Sequence, residues 1–296
     1  MKPGATIVAS RIHAFADGLH YARQIARLLS VSPAIVKVHH FPDRETLVRV
    51  APNPSRHAIL VRSFDTPNAK LIETIFAADA LRRAGSKRVT LVAPYLAYMR
   101  QDRVFHPGEP ISQRVIGDFL GRYFDAVLTM EPHLHRVKSL REIIASRSRV
   151  VSAAPAIARW IRSKDCVVIG PDSESGLMAK SVAKILGASF VVGEKTRIGD
   201  RRVSVRLGAM PHAGRAVIVD DIASSGVTMA AAVRAVREAG IATVDAVIVH
   251  AIFAPGAIES IRGAGARRVV SCDTIAHETN AITTASLFAD ALKDSE

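Results

Sequence analysis

The sequence predicts an α/β protein of two similar domains, each built on a central, mainly parallel sheet flanked by helices. Three observations carry that prediction. Short β-branched runs alternate with helical stretches that close on Ala-Gly or Leu-Gly, the pattern of right-handed βαβ units. One strand-loop-helix-strand unit occurs twice. A chain of 296 residues is long enough for two domains that each bury a core.

Taken in order, "ATIVAS" reads as a strand and "GLHYARQIARLLS" as the helix after it. "HAILVRSF", "AKLIETIFAADALRRAG" and "RVTLVAPY" repeat the rhythm as strand, helix and strand. It returns in "CVVIGPD", "GLMAKSVAKILGA" and "SFVVGEK", then in "RAVIVDD", "TMAAAVRAVREAG" and "VDAVIVHAIF", and last in "AIESIRGAG" and "RRVVSCD". The internal repeat sets residues 57–95 beside residues 215–250, with Ala84-Gly85 and Ala239-Gly240 at the same point of the unit. The first copy carries Arg62-Ser63 where the second carries Asp220-Asp221, so the two halves cannot do the same job. A boundary is expected between Ser146 and Pro155, giving domains of 1–148 and 149–296.

Composition narrows the function classes. Forty Lys and Arg against 27 Asp and Glu give a formal charge of +13, which calls for anionic partners. The bases are spread along the chain, without a block of five and without interleaved aromatics, and aromatics are only 5% of the residues. That pattern favours phosphorylated small molecules over nucleic acid. No apolar run approaches the roughly 20 residues that cross a bilayer, and the N-terminal stretch lacks a continuous apolar segment of the secretory kind. Cys166 and Cys272 lack metal or redox spacing and read as reduced thiols at strand starts. A cytoplasmic protein without membrane association is the expectation.

The chemistry concentrates in "VIVDDIASSGVTM", residues 217–229. In an open parallel sheet, ligands bind beyond the carboxyl ends of the strands, and Asp220 and Asp221 close such a strand. The loop after them offers hydroxyls from Ser224, Ser225 and Thr228, a flexible backbone at Gly226, and the N–H groups of a helix start, a ready anion site. Phosphate binding beside two carboxylates describes a phosphorylated sugar. The plainer alternative is an Asp-rich turn with a serine N-cap. No GxxxxGK[ST] and no complete GxGxxG occurs, which removes the P-loop kinases and dinucleotide oxidoreductases.

This loop resembles the phosphoribosyl-binding loop of type I phosphoribosyltransferases and of the ribose-phosphate pyrophosphokinases (PRPP synthetases). The segment "PYLAYMRQDRVFHPGEPIS" favours the second group, because Arg100-Gln101 follow a strand as in that family's nucleotide-contacting segment; a guanidinium gives planar, bidentate contacts to phosphate. "HHFPDRETLVRV" is similar to the family's loop that reaches across a subunit interface to adenine, with Phe41 stacking and Asp43 and Glu45 making polar contacts. "LTMEPHLHRV" matches the family's metal-associated histidine at His133, with Glu131 nearby, and "VVIGPDSESG" matches its Mg²⁺-associated aspartate at Asp172. Alone, His133 reads as an ordinary surface or capping residue. "GEKTRIGDRRVSV" resembles the start of the family's catalytic loop; Lys195 and Arg197 alternate on an extended segment and so converge on one side.

The resemblance implies two phosphoribosyltransferase type I-like domains, ATP and ribose 5-phosphate as substrates, and Mg²⁺ held at His133 and Asp172. Lys195 and Arg197 would be the catalytic pair. Phe41, Asp43, Glu45, Arg100 and Gln101 would bind ATP, and Arg197, Asp220, Asp221, Ser224, Ser225, Gly226 and Thr228 would bind ribose 5-phosphate. The reaction implied is transfer of the β,γ-diphosphoryl group of ATP to the sugar 1-hydroxyl, by at least a homodimer. Two alternatives stand beside it: a phosphoribosyltransferase, and a non-catalytic synthetase-like regulatory subunit. Three departures mark this chain: Arg44 stands where the family has Gly, Glu174-Ser175 where it has Gly-Gly, and Ser224 where many members have Asp. Ser224 and "EKTR" lean toward an archaeal-like branch.

Overall fold

A computed structural model describes residues 10–198 and 202–294. The described chain runs β1 (Ser10–Ala14), α1 (Leu19–Leu29), β2 (Pro33–Ile35), β3 (Lys37–His40), β4 (Thr46–Arg49), β5 (His57–Val61), α2 (Pro67–Arg83), β6 (Arg88–Ala93), α3 (Ser112–Tyr123), β7 (Ala126–Met130) and β8 (Arg147–Val151). It continues with α4 (Ala154–Ile161), β9 (Val167–Gly170), α5 (Gly176–Leu186), β10 (Ser189–Val192), β11 (Glu194–Ile198), β12 (Arg202–Arg206), β13 (Ala216–Ile222) and α6 (Val227–Glu238). The last elements are β14 (Val244–His250), α7 (Ala257–Gly263), β15 (Arg268–Cys272), β16 (Asn280–Ile282) and α8 (Ala285–Lys293).

The α/β expectation holds. One six-stranded sheet has the order β2-β1-β5-β6-β7-β8 and another has β10-β9-β13-β14-β15-β16. Every ladder in both is parallel. Each sheet is accompanied by a two-stranded antiparallel hairpin, β3-β4 in the first and β11-β12 in the second. The repeat seen in the sequence therefore extends over a whole topology. In both units a strand and helix lead to an edge strand, a hairpin follows, and the chain re-enters on the other side of the first strand. Central strands are buried on both faces, as parallel strands covered by helices must be; all seven residues of β14 are buried. α1 buries Tyr21, Ala22, Ile25, Ala26 and Leu29, the i, i+4 stripe of an amphipathic helix.

Two sequence expectations need correction. The chain divides into one unit of the described residues up to Val151 together with those from Ala285 onward, and a second of Ser152–Thr284. The second domain is therefore not a continuous 149–296 segment. The apolar face of α8, with Phe288 fully buried, packs on α1, where the Phe288 and Tyr21 rings meet edge to face at 6.2 Å. Arg149 adds hydrogen bonds to the carbonyl of Ala291 and the carboxylate of Asp294. The second correction concerns the thiols. Cys166 does precede a strand, but Cys272 ends β15; both are buried and free. The "ATIVAS" strand lies outside the described residues except for Ser10, where β1 begins. Among the described residues, no helix is long and apolar enough to cross a membrane.

His13, the fourth of the five residues of β1, has no exposed surface, and neither ring nitrogen has a hydrogen-bond partner among the described residues. Burial, reinforced by Arg11, pushes its pKa down from 6.5 to about 4. A depressed histidine pKa means the fold favours the neutral ring, so this contribution is intact above pH 6.5 and is lost as pH falls toward 4. Urea unfolding across that window should show the wild type losing about 3 kcal/mol more than His13→Leu. Parallel pH profiles for the two proteins would contradict the assignment.

Candidate functional site

The second unit gathers its polar residues where the strand order reverses. β9 leads through α5 to the edge, whereas β13 leads through α6 in the opposite direction, so the carboxyl ends of β9 and β13 lie side by side under diverging connections. A crevice at such a switch point is where ligands bind in open α/β sheets. Asp172 follows β9, Asp220 and Asp221 close β13, and Lys195 enters from β11.

Asp172 is buried and has both carboxylate oxygens occupied. Oδ1 accepts hydrogen bonds from the Glu174 N–H at 3.1 Å, the Ser175 N–H at 3.2 Å and the Ser175 hydroxyl at 3.2 Å. Oδ2 accepts from Lys195 Nζ at 3.1 Å. One side chain thus ties β9, the start of α5 and the β11-β12 hairpin. Asp172, Ser173, Glu174, Gly193, Glu194 and Lys195 line a cleft of ≈ 500 Å³. Gly193 is needed at its wall, since a Cβ there would lie 2.7 Å from the Pro171 carbonyl oxygen. It was not singled out in the sequence, although a glycine directly after a strand is a signal of close backbone approach.

Desolvation pushes the Asp220 carboxyl well above the usual carboxylate range, with the charges of Asp221 and Asp172 adding to it; the Asp221 N–H and Lys195 pull the other way. Three carboxylates around one ammonium leave an excess of negative charge. Oxygen donors crowded in this way suit a hard divalent cation.

After β13 the chain bends through Ser224, Ser225 and Gly226 into α6. Among the described residues, the hydroxyls of Ser225 and Thr228 make no hydrogen bond, while the Ser224 carbonyl accepts from the Ala254 N–H at 2.7 Å. Gly226 has φ +73°, and a Cβ there would stand 2.8 Å from the Ala257 carbonyl oxygen. Lys195 and Arg197 occupy alternate positions of β11, opposite Val205 and Val203. The side chain of Arg197 lies outside the described set.

The remaining sequence-selected residues belong to the first unit. Phe41, Asp43 and Glu45 form the exposed tip of the β3-β4 hairpin. The tip is closed by Phe41 N–H to Glu45 carbonyl at 2.8 Å, Arg44 N–H to Phe41 carbonyl at 2.9 Å, and Glu45 N–H to Asp43 Oδ1 at 3.0 Å. Arg44 has φ +74°, the left-handed conformation expected for a glycine position. Arg100 is exposed and without a partner among the described residues, whereas Gln101 is anchored by the Ser112 hydroxyl at 2.5 Å. His133 follows β7 with φ +53°, its Nδ1 2.9 Å from His135 Nε2.

The first unit's own switch point carries a different set of side chains. Arg62, at the place of the second unit's acidic pair, is buried; its Nη2 lies 2.6 Å from Glu73 and 3.5 Å from Asp17, and its guanidinium stacks 3.7 Å over the Phe15 ring. Lys70 joins Asp17 at 2.9 Å and Asp65 at 2.6 Å.

Residues 11–123 match the N-terminal domain of ribose phosphate pyrophosphokinase, and residues 141–283 match the phosphoribosyl transferase domain. A ribose-phosphate pyrophosphokinase of Methanopyrus kandleri is 31% identical over 287 residues, 95% of this chain and 98% of that one. One from Pyrococcus abyssi is 37% identical over 229 residues, 76% of this chain and 79% of that one. The crystal structure of a phosphoribosylpyrophosphate synthetase from Mycobacterium smegmatis shares the fold, with a TM-score of 0.82 at 24% identity, covering 97% of this chain and 98% of that one.

Gly226 gives a direct test of the loop. Gly226→Ala should destabilise the second unit by about 2 kcal/mol, because it adds a left-handed alanine to a backbone clash. Chemical denaturation measures this; an unchanged midpoint would show that the loop does not need the conformation described.

Proposed function

We propose that this chain, which belongs to the ribose-phosphate pyrophosphokinase family, is a ribose-phosphate diphosphokinase that converts ATP and ribose 5-phosphate into PRPP and AMP. The observation that carries the reading is one chain holding both family domains, with a cation-fitting acidic crevice and an anion-fitting loop at a single switch point. A phosphoribosyltransferase has the second part but no use for the first, and a non-catalytic subunit has no need of Lys195 over the cleft.

In this proposal the sugar occupies the second unit. Ser224, Ser225, Gly226 and Thr228 receive the 5-phosphate on hydroxyls and on the N–H groups at the start of α6. Asp220 and Asp221 take the ribose hydroxyls, directly or through the cation. Arg100 and Gln101 bind the nucleotide, and Phe41, Asp43 and Glu45 reach the adenine of a neighbouring subunit, so the working form is at least a homodimer. The assignment to the cytoplasm follows the same reading.

The 1-hydroxyl oxygen attacks the β-phosphorus of ATP. A new O–P bond forms there, the bond from the β-phosphorus to the bridging oxygen breaks, and AMP leaves with that oxygen as the hydroxyl gives up its proton. Negative charge spreads over the phosphoryl oxygens in the transition state, and fixed cations stabilise it more than the ground state. Lys195 and Arg197 supply that charge from β11. Lys195 is held ready by Asp172, so its position is set before substrate arrives. Asp172 and His133 would hold Mg²⁺, with Asp220 and Asp221 adding oxygen donors. When bound, Mg²⁺ neutralises the phosphate chain and polarises it for attack.

Purified protein given ATP, ribose 5-phosphate and Mg²⁺ should yield AMP and PRPP in equal amounts, and Lys195→Ala should lower kcat roughly 100- to 1,000-fold. No AMP from the wild type would end the enzyme reading, and full activity in Lys195→Ala would end the assigned role. Arg100→Ala should raise the KM for ATP about ten-fold while leaving that for ribose 5-phosphate near its original value. An equal rise for both substrates would place Arg100 elsewhere.

A further inference from the structure

The same strands that carry the acidic crevice at their carboxyl ends carry a concentration of arginine at their amino ends. Arg215 precedes β13, Arg267 precedes β15, and Arg268 opens β15. All three converge on Asp245, which lies in β14 between them and has no exposed surface. Arg267 donates from Nε at 3.1 Å and from Nη2 at 2.7 Å; Arg268 donates from Nε at 3.2 Å and from Nη2 at 3.0 Å. Arg215 Nη2 stands 2.5 Å from Asp245 Oδ2, and its Nε is buried with no hydrogen-bond partner among the described residues. Behind them, Trp160 of α4 has the guanidinium of Arg268 at 4.5 Å and that of Arg215 at 5.3 Å from its ring centre.

One guanidinium would neutralise Asp245, and its two oxygens offer only about four lone-pair sites. Three guanidinium groups oversupply it and leave two positive charges uncompensated in a tight group. Arg267 and Arg268 are about half exposed, and their Nη1 groups have no hydrogen-bond partner among the described residues. These are unused planar donors, held in place by the bidentate bonds beneath them, in the form that grips phosphate oxygens. Desolvation, and after it the charges of Arg268 and Arg267, lower the pKa of Arg215 against the pull of Asp245, whereas the hydrogen bond to Asp245 raises that of Arg267. Asp165, just before β9, accepts a hydrogen bond from the Gly214 N–H at 3.3 Å. From Arg215 to Asp221 the chain advances six residues along β13, roughly 20 Å at ~3.3 Å per residue, so the group is not part of the crevice.

We propose that Arg215, Arg267 and Arg268, fixed on Asp245 against Trp160, form a second anion site for a small phosphate-bearing molecule, separate from the substrate crevice. Its size suits one phosphate group: three donors surround a single carboxylate, and no extended basic track leads away along β15.

Trp160 is the only tryptophan in the chain, so its fluorescence reports this site locally. The experiment titrates inorganic phosphate into the full-length protein, with sodium chloride at matched ionic strength as control. A saturable change in Trp160 emission is expected in the wild type and equally in Lys195→Ala. It should weaken about ten-fold in Arg267→Gln, the equivalent of one lost charge-assisted contact. Arg215 and Arg268 still pair with Asp245 in that variant; Arg267→Lys, which keeps the charge but loses the fork, provides a milder change if Arg267→Gln proves unfolded by circular dichroism. No response, the same response to chloride, unchanged affinity in the folded Arg267 variants, or loss of the response in Lys195→Ala would each overturn the proposal. None of these readouts depends on turnover, so they stand apart from the assigned activity.

Discussion

The second unit's crevice depends on one carboxylate. Asp172 uses Oδ1 to bind the N–H groups of Glu174 and Ser175 at the start of α5, and Oδ2 to hold Lys195 on the neighbouring hairpin. A buried carboxylate can persist only if its lone pairs are met, and here the partners come from two elements, the start of α5 and β11. That requirement fixes where β9 ends, where α5 begins and where β11 crosses above them. Gly193 must then lack a side chain, because the same crossing brings its backbone against Pro171. The price is electrostatic: Asp220 and Asp221 close on the same place, and Lys195 alone cannot balance three acids. In the proposed function, this crevice takes a cation and a substrate whose hydroxyls share the carboxylates.

The first unit has the same strand order and meets the same problem differently. Its switch point also lies between the first strand and the re-entering strand, but Arg62 and Lys70 are matched there by Glu73, Asp17 and Asp65. Arg62 is buried against a phenyl ring with its carboxylate at 2.6 Å, so its charge is met within the unit. One topology thus carries an acidic crevice in one copy and a cluster of ion pairs around Arg62 in the other. The difference is a handful of side chains, foremost Arg62 in place of the acidic pair. Of the first unit's residues that match the family's ATP-binding segments, Phe41, Asp43, Glu45 and Arg100 are exposed, on the hairpin tip and beyond β6.

Most of the fold was legible in the sequence, because β-branched runs buried on both faces and helices ending in Ala-Gly are local signals. The returning helix α8 was not, since an amphipathic stretch does not say which unit covers its apolar face; only the meeting of Phe288 with Tyr21 decides that. The crevice was partly legible. Asp220 could be named from its strand end, and Asp172 and Lys195 from the family resemblance, but their mutual distances arise from the strand order, which places residues 172, 195 and 220 together. The arginine group on Asp245 gave no linear signal at all. Its members are spread from 215 to 268 among ordinary basic residues, and they meet only because three parallel strands start side by side.

Two departures from the family pattern that look alike in sequence have different physical standing. Arg44 occupies a position where the backbone does require glycine-like freedom: φ is +74°, and the hydrogen bonds across the hairpin tip hold it there. A side chain in that region carries strain of order 1 kcal/mol or more, so the tip keeps its shape against a local cost. Glu174-Ser175 replaces two glycines without any such cost. Ser175 has φ −85°, an ordinary helical conformation, and its hydroxyl bonds back to the Asp172 carbonyl at 3.0 Å and carboxylate at 3.2 Å. The missing Cβ of Gly170 leaves room for that serine, whose Oγ would otherwise lie 3.0 Å from it. The loop after Asp172 is therefore held by side-chain hydrogen bonds where glycines would leave it mobile, and Glu174 adds a carboxylate to the cleft wall. The first departure strains an inherited shape; the second builds the loop from different bonds.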